Sequence, residues 1–435
     1  MELAKVFGVA KDPVESYIER EKVDSILLSA LPKSQQIIIY GSSKQGKTAL
    51  LQRHIPESQR VTVHCGPTMS AEDLYRSFLR QQNIEVKTET VQDYQREMST
   101  SISAKFTALV PFFGGGEAET KGEVKATRGR EFTTVPIEFN LSVAQDVGEL
   151  LKRVESDKFF HVIENFHYLS DDVQRQLAFD LRTFEEMGLR FIILGVWRER
   201  NRLVQYNGDL QDRVIEVPVE PWDTEDFQRV FNQGAQILNV SVAPPLLERI
   251  YNEAHGSVAV VQELLKKLCE KSGLLNTAEH TVLIDDSTVL DEAISEKISE
   301  YAARHVRSLE SIAAGSRTRR ATEDVAALYL PYYLVNIMVR LNYGELKDGI
   351  ERKALQTLIQ QQHRTPLNVR TSDVTGMLLR LSSLQAAAHI VPPLFDFDTG
   401  TRRLKVVDST LYFFIDNCDP DEVMAEIPNP DPDAV

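Results

Sequence analysis

The sequence predicts an α/β fold built on a parallel central sheet. Within residues 36–240, short apolar runs rich in β-branched and aromatic residues alternate with helical patterns. The five runs are residues 36–40, 60–65, 158–164, 190–194 and 212–217. Continuous apolar strands separated by helices are typical of a sheet that is covered on both faces, and this favours parallel strands.

Beyond this region the pattern changes twice. Residues 223–320 have a helical pattern with no convincing strand, which predicts a helical region. In residues 321–417, three helical stretches precede two strand-like runs around the turn signal Asp398-Thr399-Gly400, which is the order of elements in a winged helix. Residues 418–435 are acidic and proline-rich, so a disordered tail is expected. Residues 1–222 would form the core domain.

One segment interrupts the alternation in the core. Residues 97–139 have two strand-like arms, 105–113 and 130–139, around a glycine-rich and charged tip. Because a structureless loop of this length is unusual inside a compact domain, we interpret the segment as a projecting β-hairpin insertion. A flexible flap without a dedicated role is the alternative.

The composition excludes several classes of protein. The chain has 435 residues and a net charge of −15, which argues against indiscriminate binding to DNA or anionic lipid. It has no run of 18 apolar residues and no signal-peptide pattern, so we expect a cytoplasmic protein without a membrane span. Its three cysteines are too far apart in sequence for a disulfide framework or a zinc module.

The strongest local signal is a glycine-rich motif directly after the first apolar run. It matches G-x-x-x-x-G-K-[ST] in full and is formed by Gly41, Ser42, Ser43, Lys44, Gln45, Gly46, Lys47 and Thr48. A strand before this motif and a helix after it let backbone N–H groups surround a phosphate. Lys47 would contact the β- and γ-phosphates, and the Thr48 hydroxyl would bind Mg²⁺. The motif predicts binding of ATP or ADP with Mg²⁺.

A second nucleotide element is expected at the end of another buried strand. The run at 158–164 ends in Glu164, followed by Asn165, and acidic residues at such strand ends are suited to hold Mg²⁺. An amide can orient a water molecule but cannot accept its proton, so Asn165 predicts slow or absent hydrolysis. Alternatively, Glu164 serves both the metal and the proton transfer. An incidental acid at a strand end is the remaining interpretation.

Arginines follow the fourth run and open the fifth. Arg198, Arg200 and Arg202 could stabilise a γ-phosphate, or they could be the solvated face of a short helix. Arg213, at the start of the last strand, is placed to reach the nucleotide of a neighbouring subunit.

Four segments (12–51, 162–169, 190–203 and 210–222) resemble AAA+ and STAND-type ATPases in their order, with the origin-recognition and prokaryotic STAND branches closest. The resemblance implies a P-loop NTPase sheet followed by a helical lid and a winged helix, over residues 12–417. It implies that Tyr17 and Arg20 pack near the adenine and that residues 41–48 are the Walker A loop. Glu164 and Asn165 would be the Walker B end, Arg198 would lie near the sensor-one position, and Arg213 would be an arginine finger.

The sequence also departs from these families. Walker B reads Glu-Asn, no clean sensor-one residue ends the fourth strand, and the lid helix lacks both the sensor-two arginine and the STAND proline. A weakly hydrolysing switch fits these departures better than a processive motor. No repeat array follows the winged helix, so sensing or effector parts would be short or lie on other chains.

Three functions can be compared on this basis. The first is an ATP-dependent switch that forms homo-oligomers and recruits a separate partner protein; prokaryotic defence signalling enters by family analogy alone. The second is a DNA-binding regulator or loader, for which residues 346–410 contain nine Lys and Arg against six Asp and Glu, with Arg402, Arg403 and Lys405 as the best phosphate contacts. The third, a metabolic kinase, is disfavoured because no acceptor site is evident.

Overall fold

The centre of the molecule is a five-stranded parallel sheet. The computed structural model describes residues 1–88, 106–111, 134–154, 158–315 and 327–430. The strands of the sheet are β1 (Gln36–Tyr40), β2 (Arg60–His64), β6 (Phe160–Glu164), β7 (Arg190–Gly195) and β8 (Val214–Pro218). Their order across the sheet is β2-β6-β7-β1-β8. All five predicted runs are strands, with ends within two residues of the prediction, and the α/β fold with a parallel sheet is confirmed.

Helices cover both faces of this sheet because successive strand residues point to opposite faces. Ile38, Ile163 and Ile193 pack into one cluster with helices α4 (Ala71–Gln81), α5 (Ala144–Arg153) and α6 (Asp171–Glu186). The residues next to these along each strand, such as Ile37, Val162 and Ile192, pack on the other face with α2 (Glu21–Ala30) and α3 (Lys47–His54). A short helix, α7 (Arg202–Tyr206), follows β7, and α1 (Leu3–Val6) begins the chain.

A separate antiparallel sheet is inserted between α4 and α5. Its strands are β3 (Glu85–Thr88), β4 (Phe106–Pro111) and β5 (Thr134–Phe139), in the order β3-β4-β5. The two predicted arms do pair, with Phe106 opposite Phe139. The insertion nevertheless begins earlier than predicted, because residues 85–88 add a third strand beside β4. The predicted glycine-rich tip lies outside the described residues.

The region after β8 is mainly helical, but it contains two strands that the sequence pattern did not predict. Strands β9 (Val240–Val242) and β10 (Val282–Ile284) pair in parallel. At three residues each, they are too short to give a recognisable alternation. The helices are α8 (Thr224–Leu238), α9 (Pro244–Glu253), α10 (Val258–Lys271) and α11 (Ser287–Ala313).

The first residues of the chain belong to this helical lid and not to the sheet domain. Leu3, Val6 and Phe7 pack with Phe227 of α8 and the rest of the lid cluster. Gly234 makes room for the Phe7 ring, since a Cβ there would lie 2.2 Å from it. The predicted core domain of residues 1–222 is therefore wrong at its N-terminal end.

The C-terminal module (residues 327–430) combines helices with a small antiparallel sheet. Its strands β11 (Ile350–Glu351), β12 (Phe395–Asp398) and β13 (Arg403–Val406) have the order β11-β13-β12. Its helices are α12 (Leu330–Met338), α13 (Tyr343–Leu346), α14 (Arg352–Gln362), α15 (Thr371–Leu379), α16 (Leu381–Ala387), α17 (Ser409–Asn417) and α18 (Pro420–Glu426). The winged-helix assignment stays a prediction.

The prediction of a disordered tail is wrong for its first half. Residues 420–426 form α18, and the Asp419 side chain accepts a hydrogen bond from the Asp421 N–H at its start. Val423, Met424 and Ile427 are buried in the core of the C-terminal module. These three apolar residues form one face of α18, and the acidic and proline-rich composition around them led to the prediction of disorder. Residues 431–435 lie outside the described part of the chain.

No helix among the described residues is long and apolar enough to span a membrane. Of the cysteines, Cys65 and Cys269 are buried and Cys418 is half-buried, and all three are free thiols.

Candidate functional site

The carboxyl ends of β1, β6, β7 and β8 gather the predicted site at one edge of the sheet. The P-loop (residues 41–48) leaves β1 at Gly41, whose φ is +152° and where a Cβ would lie 2.6 Å from Val219. Gly46 has φ +88°, a conformation that side chains rarely adopt, and α3 begins at the next residue. The motif therefore folds as a tight loop that opens a helix, as its sequence predicts.

Lys47 is buried beneath this loop. Its ammonium donates hydrogen bonds to the carbonyl oxygens of Gly41 at 2.8 Å and Ser42 at 2.6 Å. Burial lowers the pKa of Lys47 to about 8, an effect that the nearby Glu220 partly opposes. Within the described part of the chain, Lys47 is hydrogen-bonded to neutral oxygens and has Glu220 as a nearby acid, and a buried cation in such surroundings favours an anionic partner.

Thr48 and Glu164 lie side by side although they are 116 residues apart in sequence. The Thr48 hydroxyl donates to Glu164 Oε1 at 3.3 Å, and Glu164 Oε2 lies 2.8 Å from Nδ1 of His64. A hydroxyl next to a carboxylate, both beside the P-loop lysine, is a set of oxygen donors that Mg²⁺ accepts. The chemistry of these residues fits the predicted metal.

Asn165 and His167 follow Glu164 on the same strand end. Asn165 has φ +59°, in the left-handed region that asparagine tolerates, and a short 3₁₀ turn follows it. His167 is buried, and neither of its ring nitrogens has a hydrogen-bond partner among the described residues. Burial, together with the charges of Lys47 and Arg202, lowers the pKa of His167 to about 3. The ring is therefore neutral at physiological pH.

A cavity of about 340 Å³ opens beside the P-loop. Its walls are the N-terminal segment 8–20, the P-loop, the first turns of α3 and α10, and the Trp222 ring. The apolar part of the lining consists of Ile18, Leu50, Val230, Val258 and other small apolar residues. Its volume and its mainly apolar lining are typical of small-molecule sites. A nucleotide bound to the P-loop would place its base in this cavity.

Tyr17 and Arg20 both line the cavity, and their position near an adenine stays a prediction. The Tyr17 hydroxyl donates to Asp24 at 2.9 Å, and Asp24 also lies 2.7 Å from Nε2 of His54 at the end of α3. Arg20 donates to the carbonyl of Val219 at 2.8 Å and lies 3.6 Å from the centre of the Trp222 ring. Both side chains thus fix the cavity wall through bonds to other parts of the core.

The C-terminal module sits directly on the P-loop. The Ser43 N–H donates to the carbonyl of Val407 at 2.8 Å, and the Ser43 hydroxyl donates to Asp408 Oδ1 at 3.2 Å. The Ser409 hydroxyl donates to the Ser43 carbonyl at 3.0 Å. Asp408 is fully buried and is ion-paired with Arg304 of α11. We call this set of contacts the P-loop clasp.

Arg198 makes a second link between the P-loop and the C-terminal module. Its guanidinium lies 3.6 Å from Glu220 and donates to the Tyr412 hydroxyl and the Lys347 carbonyl, each at 3.0 Å. Glu220 in turn accepts from the Ser42 N–H at 3.0 Å and from the Ser42 hydroxyl at 3.1 Å. Arg198 therefore lies near the site, but its donors are engaged by these groups.

Arg213 lies away from this edge of the sheet. Its carbonyl accepts from the N–H of Gln36, the first residue of β1, so it lies at the opposite end of the strands from the P-loop. Its guanidinium is 2.5 Å from Glu185 and 3.5 Å from Glu186 of its own chain. Its predicted action on a neighbouring subunit stays a prediction.

The hairpin of the C-terminal module packs on the sheet domain. Lys405 lies 2.7 Å from the buried Glu199, and Arg403 donates to the Gly349 carbonyl at 2.9 Å. Arg202 is ion-paired with Asp396 of β12, so it is neither a solvated helix residue nor directed at the P-loop. Of the three cations proposed to contact DNA phosphates, Arg402 is exposed, whereas Arg403 and Lys405 are half-buried.

Sequence reasoning missed several residues of this site. Glu220 and Trp222 follow the last strand of the sheet, and their place at its carboxyl edge was a usable signal. Asp408 has the pattern of a helix N-cap, because its side chain accepts from the Thr410 N–H. That pattern predicts a helix start, and nothing in it indicates a contact with the P-loop.

Comparisons with known proteins give distant likenesses only. The sequence matches no protein-family model, and no curated protein was found to match it. Among solved structures, the Walker-type ATPase PABY2304 of Pyrococcus abyssi is similar with a TM-score of 0.42 and 13% identity, over 92% of this chain and 96% of that chain. The Holliday junction branch migration motor RuvB of Thermotoga maritima gives 0.38 and 12%, over 89% and 92%.

The ORC1 protein of Aeropyrum pernix, solved in complex with DNA, gives a TM-score of 0.36 and 14% identity, over 93% of this chain and 90% of that chain. At these identities and TM-scores, the likenesses do not decide a family.

Proposed function

We propose that this protein binds ATP and ADP with Mg²⁺ and acts as a nucleotide-dependent switch that hydrolyses ATP slowly. The observation that carries the proposal is the convergence of Lys47, Thr48 and Glu164 beside a cavity of base-accepting size. Lys47 would neutralise phosphate oxygens, and Thr48 and Glu164 would hold the metal. The bound Mg²⁺ would neutralise the charge that develops between the β- and γ-phosphates.

The slow rate follows from the residue after Glu164. Asn165 stands at the strand end where an acid would accept a proton from the attacking water, and its amide cannot do so. Glu164 is already shared between Thr48 and His64. The site is therefore better equipped to hold a nucleotide than to turn it over.

The switch part of the proposal rests on the P-loop clasp. Because residues 407–409 bind Ser43 directly, a change in P-loop conformation alters the docking of the C-terminal module. We propose that the docked module marks the resting state and that ATP favours its release. Release would expose a surface for a partner protein or for homo-oligomer formation, in which Arg213 would act between subunits.

The DNA-binding alternative has less support. Lys405 and Arg403, two of its three best phosphate contacts, are held by Glu199 and by the Gly349 carbonyl. DNA binding in the docked state would have to rely on Arg402 and other scattered cations.

Calorimetric titration of the purified protein with MgATP and MgADP tests the nucleotide site. Lys47→Ala should abolish binding of both nucleotides, whereas Lys353→Ala, an exposed lysine of α14, should leave binding within twofold of the unmodified protein. Retained ATP affinity in Lys47→Ala would overturn the site assignment.

A further inference from the structure

The wall of the cavity is attached to the lid helix α10. The segment between α1 and α2 lines the cavity with Gly8, Ser16 and neighbouring residues. Its first residue, Phe7, packs in the apolar cluster of the helical region that follows β8. Tyr17 and Arg20 fix the part of this segment nearest α2, through Asp24 and the Val219 carbonyl. The part before them is bonded to α10, because Gly8, Val9 and Ser16 form hydrogen bonds with side chains of that helix.

Gln262 makes the central contacts to this segment. Its Oε1 accepts from the Gly8 N–H at 3.1 Å, and its Nε2 donates to the Ser16 hydroxyl at 2.9 Å. The Ser16 hydroxyl donates in turn to the Val6 carbonyl at 2.6 Å. Gln262 and Ser16 are both buried. Buried amide and hydroxyl groups that satisfy one another fix a segment more firmly than exposed ones do.

The same helix touches the P-loop one turn earlier. The Val258 N–H, at the first residue of α10, donates to Gln45 Oε1 at 3.3 Å, and Gln45 is buried. Residues 258 and 262 are four apart, so they lie on the same face of the helix, and both line the cavity. Helix α10 thus joins the phosphate end of the cavity to its base end.

We infer that Gln262 is a positioning residue for the base of the nucleotide: it sets the base-binding wall at a fixed distance from the P-loop. This inference rests on the proposed nucleotide site. Gln262 acts on the wall and not on the phosphates, so its loss should weaken ligands that carry a base and spare ligands that consist of phosphates alone. A residue that only stabilises the fold would affect both ligands alike.

The test is calorimetric titration with MgATP and with magnesium tripolyphosphate, which has no base or sugar. Gln262→Leu should weaken MgATP about fivefold and leave tripolyphosphate within twofold, since one net hydrogen-bond contribution is lost at the wall. Ser16→Ala, a smaller change in the same network, should shift the two ligands in the same selective way. Gln236→Leu, an exposed glutamine of α8, is the matched control and should change neither affinity.

The outcomes separate this inference from the proposed function. Equal losses for both ligands, or no loss for either, in folded Gln262→Leu would overturn the positioning role. If Gln262→Leu fails to fold, Ser16→Ala decides by the same comparison. If the unmodified protein binds neither ligand, the proposed nucleotide site itself is wrong.

Discussion

The Ser43 hydroxyl of the P-loop lies 3.2 Å from Asp408 Oδ1, although the two residues are 365 positions apart in sequence. This hydrogen bond joins the P-loop to the start of α17. Asp408 is fully buried, and although burial raises its pKa, the ion pair with Arg304, the charge of Lys44 and the hydrogen bond from Thr410 lower it overall. The C-terminal module therefore contacts the P-loop through a charged, hydrogen-bonded group.

Weakening the P-loop clasp should speed release of bound nucleotide. Arg304→Gln removes the ion pair to Asp408 but leaves Asp408 as the helix cap, so the module should dock less firmly on Ser43. We expect ADP release to become about fivefold faster, a modest factor because Arg304 is partly exposed. Stopped-flow displacement of a fluorescent ADP analogue measures this rate. Arg307→Gln, an exposed position one turn further along α11, is the control and should leave the release rate unchanged. Equal rates in the unmodified protein, Arg304→Gln and Arg307→Gln would contradict the P-loop clasp.

A carboxylate at position 165 should increase ATP turnover. Asn165→Asp supplies a proton acceptor next to Glu164, and aspartate tolerates the left-handed backbone of this residue. We expect the steady-state rate to rise at least about tenfold, the low end for a general base, while ATP affinity changes little. Phosphate release measures the rate. Asn83→Asp, an exposed asparagine that is also left-handed, is the control; unchanged turnover in Asn165→Asp would show that this strand end does not face the attacking water.

Substitutions of Arg202 and Asp396 should have strongly coupled effects on the free energy of unfolding. Both side chains are largely buried where the hairpin of the C-terminal module meets α7. Arg202→Met leaves a buried carboxylate unpaired and should cost about 3 kcal/mol of unfolding free energy, whereas Arg202→Met combined with Asp396→Leu should recover most of that loss. Urea unfolding measures both variants. A double variant no more stable than Arg202→Met would mean that the two residues do not interact in this way.

Stability should fall as the pH drops below about 6.5. Burial lowers the pKa of His161 and of His305 to about 4 each, whereas the same residues in the unfolded chain titrate near 6.5. The unfolded state therefore binds more protons in this interval, and each histidine should cost about 2 kcal/mol of unfolding free energy between pH 7 and pH 5. Above pH 6.5 the effect disappears.

His305→Gln tests this pH dependence. Glutamine can still bond to Thr410 but has no ring to protonate, so the fall in unfolding free energy between pH 7 and pH 5 should shrink by about 2 kcal/mol. His280→Gln, at an exposed position, should show the same fall as the unmodified protein. An undiminished fall in His305→Gln would mean that His305 is not the source of the acid sensitivity.

The sequence was sufficient for those parts of the fold and site that depend on local pattern. The apolar runs predicted all five strands of the main sheet, and the glycine-rich motif predicted the loop and helix around Lys47. The position of Glu164 beside the P-loop could be predicted because parallel strands have their carboxyl ends at one edge of a sheet.

Contacts between distant parts of the chain were not predictable in the same way. Lys405 was expected to contact phosphates because its sequence neighbourhood gives no sign of its actual partner. That partner, Glu199, belongs to the sheet domain and is distant in sequence. The local sequence around Asp408 predicts a helix cap, and nothing in it indicates the contact between Asp408 and Ser43. Residues 420–426 looked disordered because their apolar face becomes stabilising only when the C-terminal core is present to cover it.

The most direct test of the switch is hydrogen–deuterium exchange of the C-terminal module in two nucleotide states. Peptides covering β13 and α17 should be protected with MgADP and should exchange faster with Mg²⁺ and a non-hydrolysable ATP analogue, as the P-loop clasp opens. In Lys47→Ala the two nucleotides should give identical exchange. Equal protection of these peptides by ADP and by the ATP analogue in the unmodified protein would contradict a nucleotide-controlled clasp.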